Sequence, residues 1–369
     1  MPAGPLPSTV DAASLLQEFL AIQGRLADAA ARLGRLREED VAIATTPKDE
    51  VRRVDKAVLY RYRPMVEKPH PVPLLLVYAL VGRYTVMDLQ EDRSLVRNLL
   101  RAGHDVYIVD WGHPNRSDRF AGLNDYVNDY LATFVDEIDR RHGVAGPNLL
   151  GICQGGVLSL CYTALNPERI RNLVTAVTPV DFHADKVEER VEHGFMNVWA
   201  RSLEPGDIDR LVDTMGSVPG EFVGYLFSLM TPGRTLTKYN IDLLDAAGDD
   251  ARLLNFLRME RWLADRPNQP GEAARQWLKE LYQDNRLVRK EFVLDGRIVD
   301  LGAIRCPVLN IFTESDHIIP PAMSRALKDH VGSDDYGEVA IKGGHIGLFV
   351  SARSLDQVSR TIVDWLAKR

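Results

Sequence analysis

A series of short, continuously apolar runs, each followed by a stretch of helical period, constrains this chain more than any other feature. PVPLLLVYALV (71–81), DVYIVDWG (105–112), NLLGI (148–152), NLVTAVTPVDF (172–182) and CPVLNIFTESD (306–316) have too many adjacent apolar residues to present a face to water. They read as strands buried on both sides, the pattern of a parallel sheet rather than of an alternating antiparallel one. Between them lie RSLVRNLLRAGH (93–104), LNDYVNDYLATFVDEIDRRHG (123–143), GGVLSLCYTALNP (155–167) and PPAMSRALKDHV (320–331), all with helical spacing. AVLYRYRP (57–64) and YGEVAI (336–341) add strands, and SLDQVSRTIVDWLAKR (354–369) closes the chain as a helix. Strand alternating with helix predicts an α/β fold: a mostly parallel sheet with helices on both faces.

The alternation stops between about Ala184 and Asp295, where helical periods dominate, as in ARLLNFLRMERWLADRP (251–267) and EAARQWLKELYQDNRLV (272–288). Upstream of the sheet, SLLQEFLAIQGRLADAAARLGRLREED (14–40) reads as one long helix. The expected organisation is an N-terminal helical arm over 1–50, a core from 51–183 and 296–369, and a helical cap inserted at 184–295. The aromatics of the insert, such as Trp199, Phe222, Phe227, Trp262 and Trp277, read mostly as core, with a few available to line a pocket.

Composition narrows the function classes. A formal charge of −7 over 369 residues is wrong for a nucleic-acid surface. The most apolar windows fall short of the roughly 18 apolar residues of a membrane span, and the N-terminus lacks the form of a secretory signal. Three cysteines, Cys153, Cys161 and Cys306, without CxxC spacing suit reduced thiols in a cytoplasm and argue against a zinc site. No metal and no cofactor is expected.

One position carries chemistry. Gly151-Ile152-Cys153-Gln154-Gly155 has the form G-x-S-x-G, with cysteine where serine normally stands, and it lies where a predicted strand turns into a predicted helix. That turn strains the nucleophile into an exposed position above the sheet of an α/β-hydrolase fold. The positive end of the helix dipole there favours a thiolate. In this fold the order along the chain is nucleophile, acid, histidine. Asp316 follows the strand VLNIF and His345 follows EVAI in the loop KGGHIGLF, so Cys153, Asp316 and His345 are the candidate triad. Glu314 is a competing acid, and His317 an auxiliary candidate beside Asp316. The oxyanion donors expected are the backbone N–H of Gln154 and, from the loop YALVGRY, that of Val81. Cys161, mid-helix among leucines, and Cys306, before Pro307, read as structural thiols.

Taken together, LLLVYALVGR, DVYIVDWG, NLLGICQGG, TPVDF, VDTMG, GEAARQW, PVLNIF, SDH and GGHIG resemble the catalytic subunit of poly(3-hydroxyalkanoate) synthases of the short, two-component type, over roughly residues 55–369. The resemblance implies an acyltransferase that polymerises (R)-3-hydroxyacyl-CoA, 3-hydroxybutyryl-CoA being the expected substrate, with release of CoA, through a thioester on Cys153; it does not set a chain-length preference. Its partners would be 3-hydroxyacyl-CoA, the growing polyester chain and a phasin-like second synthase subunit. The assembly implied is a homodimer or higher hetero-oligomer, cytoplasmic, at the surface of polyester granules. One departure stands out: the family shows Asn-(Lys/Arg)-x-Tyr after ALV, and this chain has Gly82-Arg83-Tyr84-Thr85. Two other readings remain open, a cysteine-nucleophile thioesterase or lactone hydrolase of the same fold, and a non-catalytic granule-binding scaffold.

Overall fold

The computed structural model describes residues 12–184, 186–187, 190–191, 194–230, 233 and 237–369. The chain forms two compact units, one of residues 43–227 with 262–369 and one of residues 1–42 with 228–261. The segment 184–295 therefore contributes to both.

The larger unit is built on eight strands: β1 (Lys48–Val54), β2 (Ala57–Tyr62), β3 (Leu74–Val77), β4 (Val106–Asp110), β5 (Asn148–Ile152), β6 (Asn172–Ala176), β7 (Val308–Thr313) and β8 (Tyr336–Ile341). Their order is β1-β2-β4-β3-β5-β6-β7-β8. From β4 to β8 all neighbours are parallel, while β2 pairs antiparallel with both β1 and β4. Every residue of β3, β4, β5 and β6 is buried, which is what helices on both faces require of their apolar runs. The closing helix Ala352–Leu366 packs with Leu95–Arg101, and Asn98 Nδ2 donates to Ser359 Oγ at 3.0 Å. The helix Gln154–Leu165 is buried along nearly its whole length.

β3 spans only Leu74–Val77 of the run 71–81, one of several strands that differ from the sequence reading. β1, KDEVRRV, is absent from it because the segment is charged and its residues are exposed or half-buried. It is an edge strand, bulged between Glu50 and Arg52, and charge on an edge keeps other chains from pairing there. The strand read as 172–182 ends at Ala176, because Val177 takes a φ of 45° and turns the chain away from the sheet.

In the same unit, helices Phe195–Ser202, Pro205–Met215 and Gly271–Gln276 and a π-helical turn Trp277–Gln283 lie between β6 and β7 along the chain. They are held by side chains as much as by packing. Arg275 Nη1 donates to Asp209 Oδ1 at 2.6 Å, and Gln283 Nε2 donates to the carbonyls of Ala200 (2.9 Å) and Leu203 (2.8 Å).

In the smaller unit the helix read over 14–40 spans Ala12–Leu33 and ends sooner, with a separate 3-10 turn at Glu38–Val41. Ala29, Ala247 and Leu253 form its small core, with Leu36, Leu243, Leu244 and Leu257 against it. Arg258 Nη2 donates to the Asp40 carbonyl at 2.8 Å. Leu16, Phe19 and Leu20 of the helix are exposed. Among the described residues, no helix is long and apolar enough to cross a membrane.

Candidate active site

Cys153 sits between the end of β5 and the helix Gln154–Leu165, at φ 54° and ψ −122°. This region is costly for any residue with a Cβ and persists only where the surroundings impose it. Here they do. The Cys153 N–H donates to the Ala176 carbonyl at 2.9 Å, and its own carbonyl accepts from Gly156 N–H at 2.9 Å. The flanking glycines are needed for closeness. A Cβ on Gly155 would lie 2.1 Å from the Val77 carbonyl oxygen, and one on Gly156 would lie 1.9 Å from Thr178 Oγ1. Strand, turn and helix therefore interlock only with this sequence.

Asp316, in the turn after β7, is 2% exposed. Its Oδ1 accepts from the N–H groups of Ile318 (2.9 Å) and Ile319 (2.8 Å). Its Oδ2 accepts from Thr313 Oγ1 at 3.3 Å and from His345 Nδ1 at 2.8 Å. His345 follows β8, on a loop whose Gly343 adopts φ 138°. The Ser315 N–H donates to the Gly343 carbonyl at 3.1 Å, tying the acid and histidine loops together. The Cys153 side chain stands close enough to the same imidazole for its charge to act on it. Burial by itself pushes the imidazole down, but the charges of Asp316 and Cys153 and the hydrogen bond to Asp316 outweigh it and hold His345 well above its ordinary value. The structure thus brings Cys153, His345 and Asp316 into one buried array. The other thiols stand apart: burial pushes Cys161 up to about 12 and Cys306 up to about 11. Glu314 and His317 are exposed.

The two backbone donors have different surroundings. The Gln154 N–H belongs to the first turn of its helix, where no intrahelical acceptor exists. The Val81 N–H is engaged: with the Leu80 N–H it donates to Gln154 Oε1, at 3.1 and 3.0 Å. The side chain of Gln154, which the motif reading treats only as a backbone donor, therefore bridges the elbow to the loop after β3. That loop is also held from the far side of the chain. Gln269 Nε2 donates to the Leu80 carbonyl at 2.8 Å, and Trp262 Nε1 to the Arg83 carbonyl at 2.9 Å. A Cβ on Gly82 would stand 3.4 Å from the Trp262 ring. Arg83 Nη2 donates to Oδ2 of Asp110, the last residue of β4, at 2.9 Å.

A pocket with about 710 Å³ of empty space, mouth included, opens on Cys153. Its walls are overwhelmingly apolar and include Trp199, Leu226, Phe227, Trp277, Leu278 and Ile318. Periodicity could not separate these residues from ordinary core, because a pocket wall and a helix core use the same side chains.

A buried sheet with a strained nucleophile turn, an imidazole and a carboxylate at the ends of successive strands defines the α/β-hydrolase class. The family model described as alpha/beta hydrolase fold matches residues 72–352. Among solved structures, a monoacylglycerol lipase of Paleococcus ferrophilus shares this fold at TM-score 0.51 and 17% identity, covering 84% of this chain and 98% of its own. An esterase from Thermogutta terrifontis does so at 0.51 and 17%, covering 88% and 99%. A second family model, poly-beta-hydroxybutyrate polymerase (PhaC) N-terminus, matches residues 16–99. The poly(3-hydroxyalkanoate) polymerase subunit PhaC of Allochromatium vinosum is 44% identical over 357 residues, 96% of this chain and 97% of its own. That of Synechocystis sp. is 42% identical over 355 residues, 96% and 93%. The chain belongs to the family of poly(3-hydroxyalkanoate) polymerases, acyltransferases built on this fold. The likeness reaches further toward the N-terminus than the motifs from residue 55 onward indicate.

Proposed function

We propose that Cys153 is the nucleophile of a polymerase that draws 3-hydroxyacyl groups from CoA, with 3-hydroxybutyryl-CoA as its substrate. The observation that carries this reading is the buried Cys153–His345–Asp316 array, with Cys153 lining an apolar pocket. Asp316, its other lone pairs committed to two backbone amides, holds His345 with Nδ1 protonated and Nε2 toward the thiol. His345 takes the Cys153 proton. The thiolate attacks the carbonyl carbon of the acyl-CoA, a C–S bond to Cys153 forms, the C–S bond to CoA breaks, and CoA leaves with the proton from His345. Exchange between two thioesters is close to balanced, so the acyl group is not trapped. A 3-hydroxyl then attacks the Cys153 thioester and gives its proton to His345. A C–O bond forms and the C–S bond breaks, returning the thiolate. Passage from thioester to ester runs downhill and drives chain growth.

The developing oxyanion is met by the Gln154 N–H, and by the Val81 N–H once the Gln154 carboxamide yields or shares it. The apolar walls from the 195–227 and 262–283 segments keep water from the acyl-enzyme, which makes transfer to a hydroxyl win over hydrolysis. No dissociable cofactor enters these steps. A second, phasin-like subunit and attachment to the granule surface belong to the same reading.

Incubation with 3-hydroxybutyryl-CoA tests it. Release of CoA with insoluble polyester, a mass increment of one acyl unit on Cys153, and loss of both in Cys153→Ala are expected. Free 3-hydroxybutyrate in place of polymer would make the protein a thioesterase, and full activity in Cys153→Ala would remove the mechanism.

A further inference from the structure

Tyr282 lies in the π-helical turn Trp277–Gln283 and lines the pocket that opens on Cys153. It is 4% exposed, yet its hydroxyl has no hydrogen-bond partner among the described residues. A phenol left unpaired in an apolar wall is an unfavourable choice, since phenylalanine would fill the same space without burying a polar group. Tyr282 lines a cavity, so what its hydroxyl bonds arrives with the occupant.

The ring is fixed. Phe182 packs edge-on against it, with centroids 4.9 Å apart at 71°. The backbone beside it is pinned to the exit of β6: His183 Nε2 lies 3.1 Å from the carbonyls of both Tyr282 and Gln283, and Asn285 Nδ2 donates to Asp181 Oδ1 at 2.7 Å. The phenol feels the charges of both Cys153 and Asp316, the two ends of the array, and burial followed by those charges pushes it well above its ordinary value. It is a donor at every working pH.

The attacking alcohol has to reach this same place. In the proposed mechanism, its oxygen must approach the thioester carbon on Cys153 while its proton faces His345. An alcohol oxygen with its proton committed to a base still has lone pairs to accept a second bond, and a rigid neutral donor suits that need. We propose that Tyr282 donates a hydrogen bond to the 3-hydroxyl oxygen of the attacking unit and orients it for transfer from Cys153. The inference rests on Cys153 carrying the acyl group. In the transfer step the hydroxyl proton passes to His345, the C–O bond forms and the C–S bond to Cys153 breaks, and the Tyr282 proton stays on the phenol throughout.

The acylation step needs no alcohol, whereas elongation does, and this separation makes the test specific. Wild type and Tyr282→Phe are mixed rapidly with 3-hydroxybutyryl-CoA. The first equivalent of CoA reports acylation, the later steady release reports elongation, and intact mass reports acyl-Cys153. The expected result is a steady-state to burst ratio reduced on the order of 10- to 100-fold, the loss of one well-placed hydrogen bond to the nucleophile. Acyl-Cys153 accumulates in the variant, at an unchanged melting temperature. An equal fall of both phases would assign Tyr282 a packing role and overturn the inference, as would an unchanged ratio. Absence of acyl-Cys153 in the wild type would instead sink the underlying reading, so the two failures are distinguishable.

Discussion

Replacing Asp316 by asparagine removes one charge and no volume, and the hydrogen bonds around the carboxylate dictate the consequences. Asp316 Oδ1 is claimed by two backbone N–H donors, from Ile318 and Ile319. An asparagine must therefore place its oxygen there, which turns its NH₂ group toward Thr313 Oγ1 and His345 Nδ1, where Oδ2 now accepts at 3.3 and 2.8 Å. His345 must then accept at Nδ1 and carry its proton on Nε2, facing Cys153. In that tautomer it cannot take the thiol proton. A wrong tautomer in an array of this kind lowers turnover by about 10⁴, and losing the charged acceptor costs about 1.5–3 kcal/mol of stability. The stability loss has a defined pH dependence. His345 is held above its ordinary value chiefly by the Asp316 charge, against burial. A raised folded value means the pairing contributes fully below about pH 6.5, where the unfolded histidine is also protonated, and is lost as pH rises through the folded value. The deficit of Asp316→Asn is therefore greatest in mild acid and shrinks toward alkaline pH. CoA release, denaturant melts across pH and the ¹⁵N tautomer signature of His345 measure these effects. Turnover within tenfold of wild type with Nδ1 still protonated would refute the reasoning.

Three other substitutions have outcomes set by the same geometry. Cys153→Ser keeps the elbow but forms an ester no more reactive than the product, so a serine-bound acyl group should accumulate while polymer formation falls by about 10³ or more, a difference of some 4 kcal/mol in barrier, read by mass and CoA release. Gly155→Ala drives a Cβ to 2.1 Å from the Val77 carbonyl oxygen, backbone that cannot step aside; a loss of about 3 kcal/mol or more in urea melts, together with loss of activity, is expected. Cys161→Ala removes only a buried sulfur, so stability should drop by about 1 kcal/mol with turnover within twofold of wild type.

Much of this molecule is legible along the chain, because much of it depends on local pattern. Continuous apolar runs become β3 to β7 wherever both faces are covered, and two small residues around Cys153 announce a turn that only glycines allow. The chain order also marks Asp316 and His345, since parallel strands deliver the loops that follow them to one edge of the sheet. β1 escapes such reading because an edge strand needs no apolar alternation, and its charges serve solvent.

Tertiary structure alone decides who meets whom. Nothing in the sequence around Gln154 indicates that its carboxamide takes the amides of Leu80 and Val81, which lie 74 and 73 residues away. Nor does it indicate that Gln269 and Trp262 grip the same loop from the other side. In sequence Tyr282 is only one position within the helical segment 272–288. Only the cavity beside it, with Cys153 and Asp316 in electrostatic reach, sets its unpaired hydroxyl apart from core. Secondary structure comes from residues a few positions apart, whereas a pocket is defined by absence, by the space that distant segments fail to fill, and no local pattern records that.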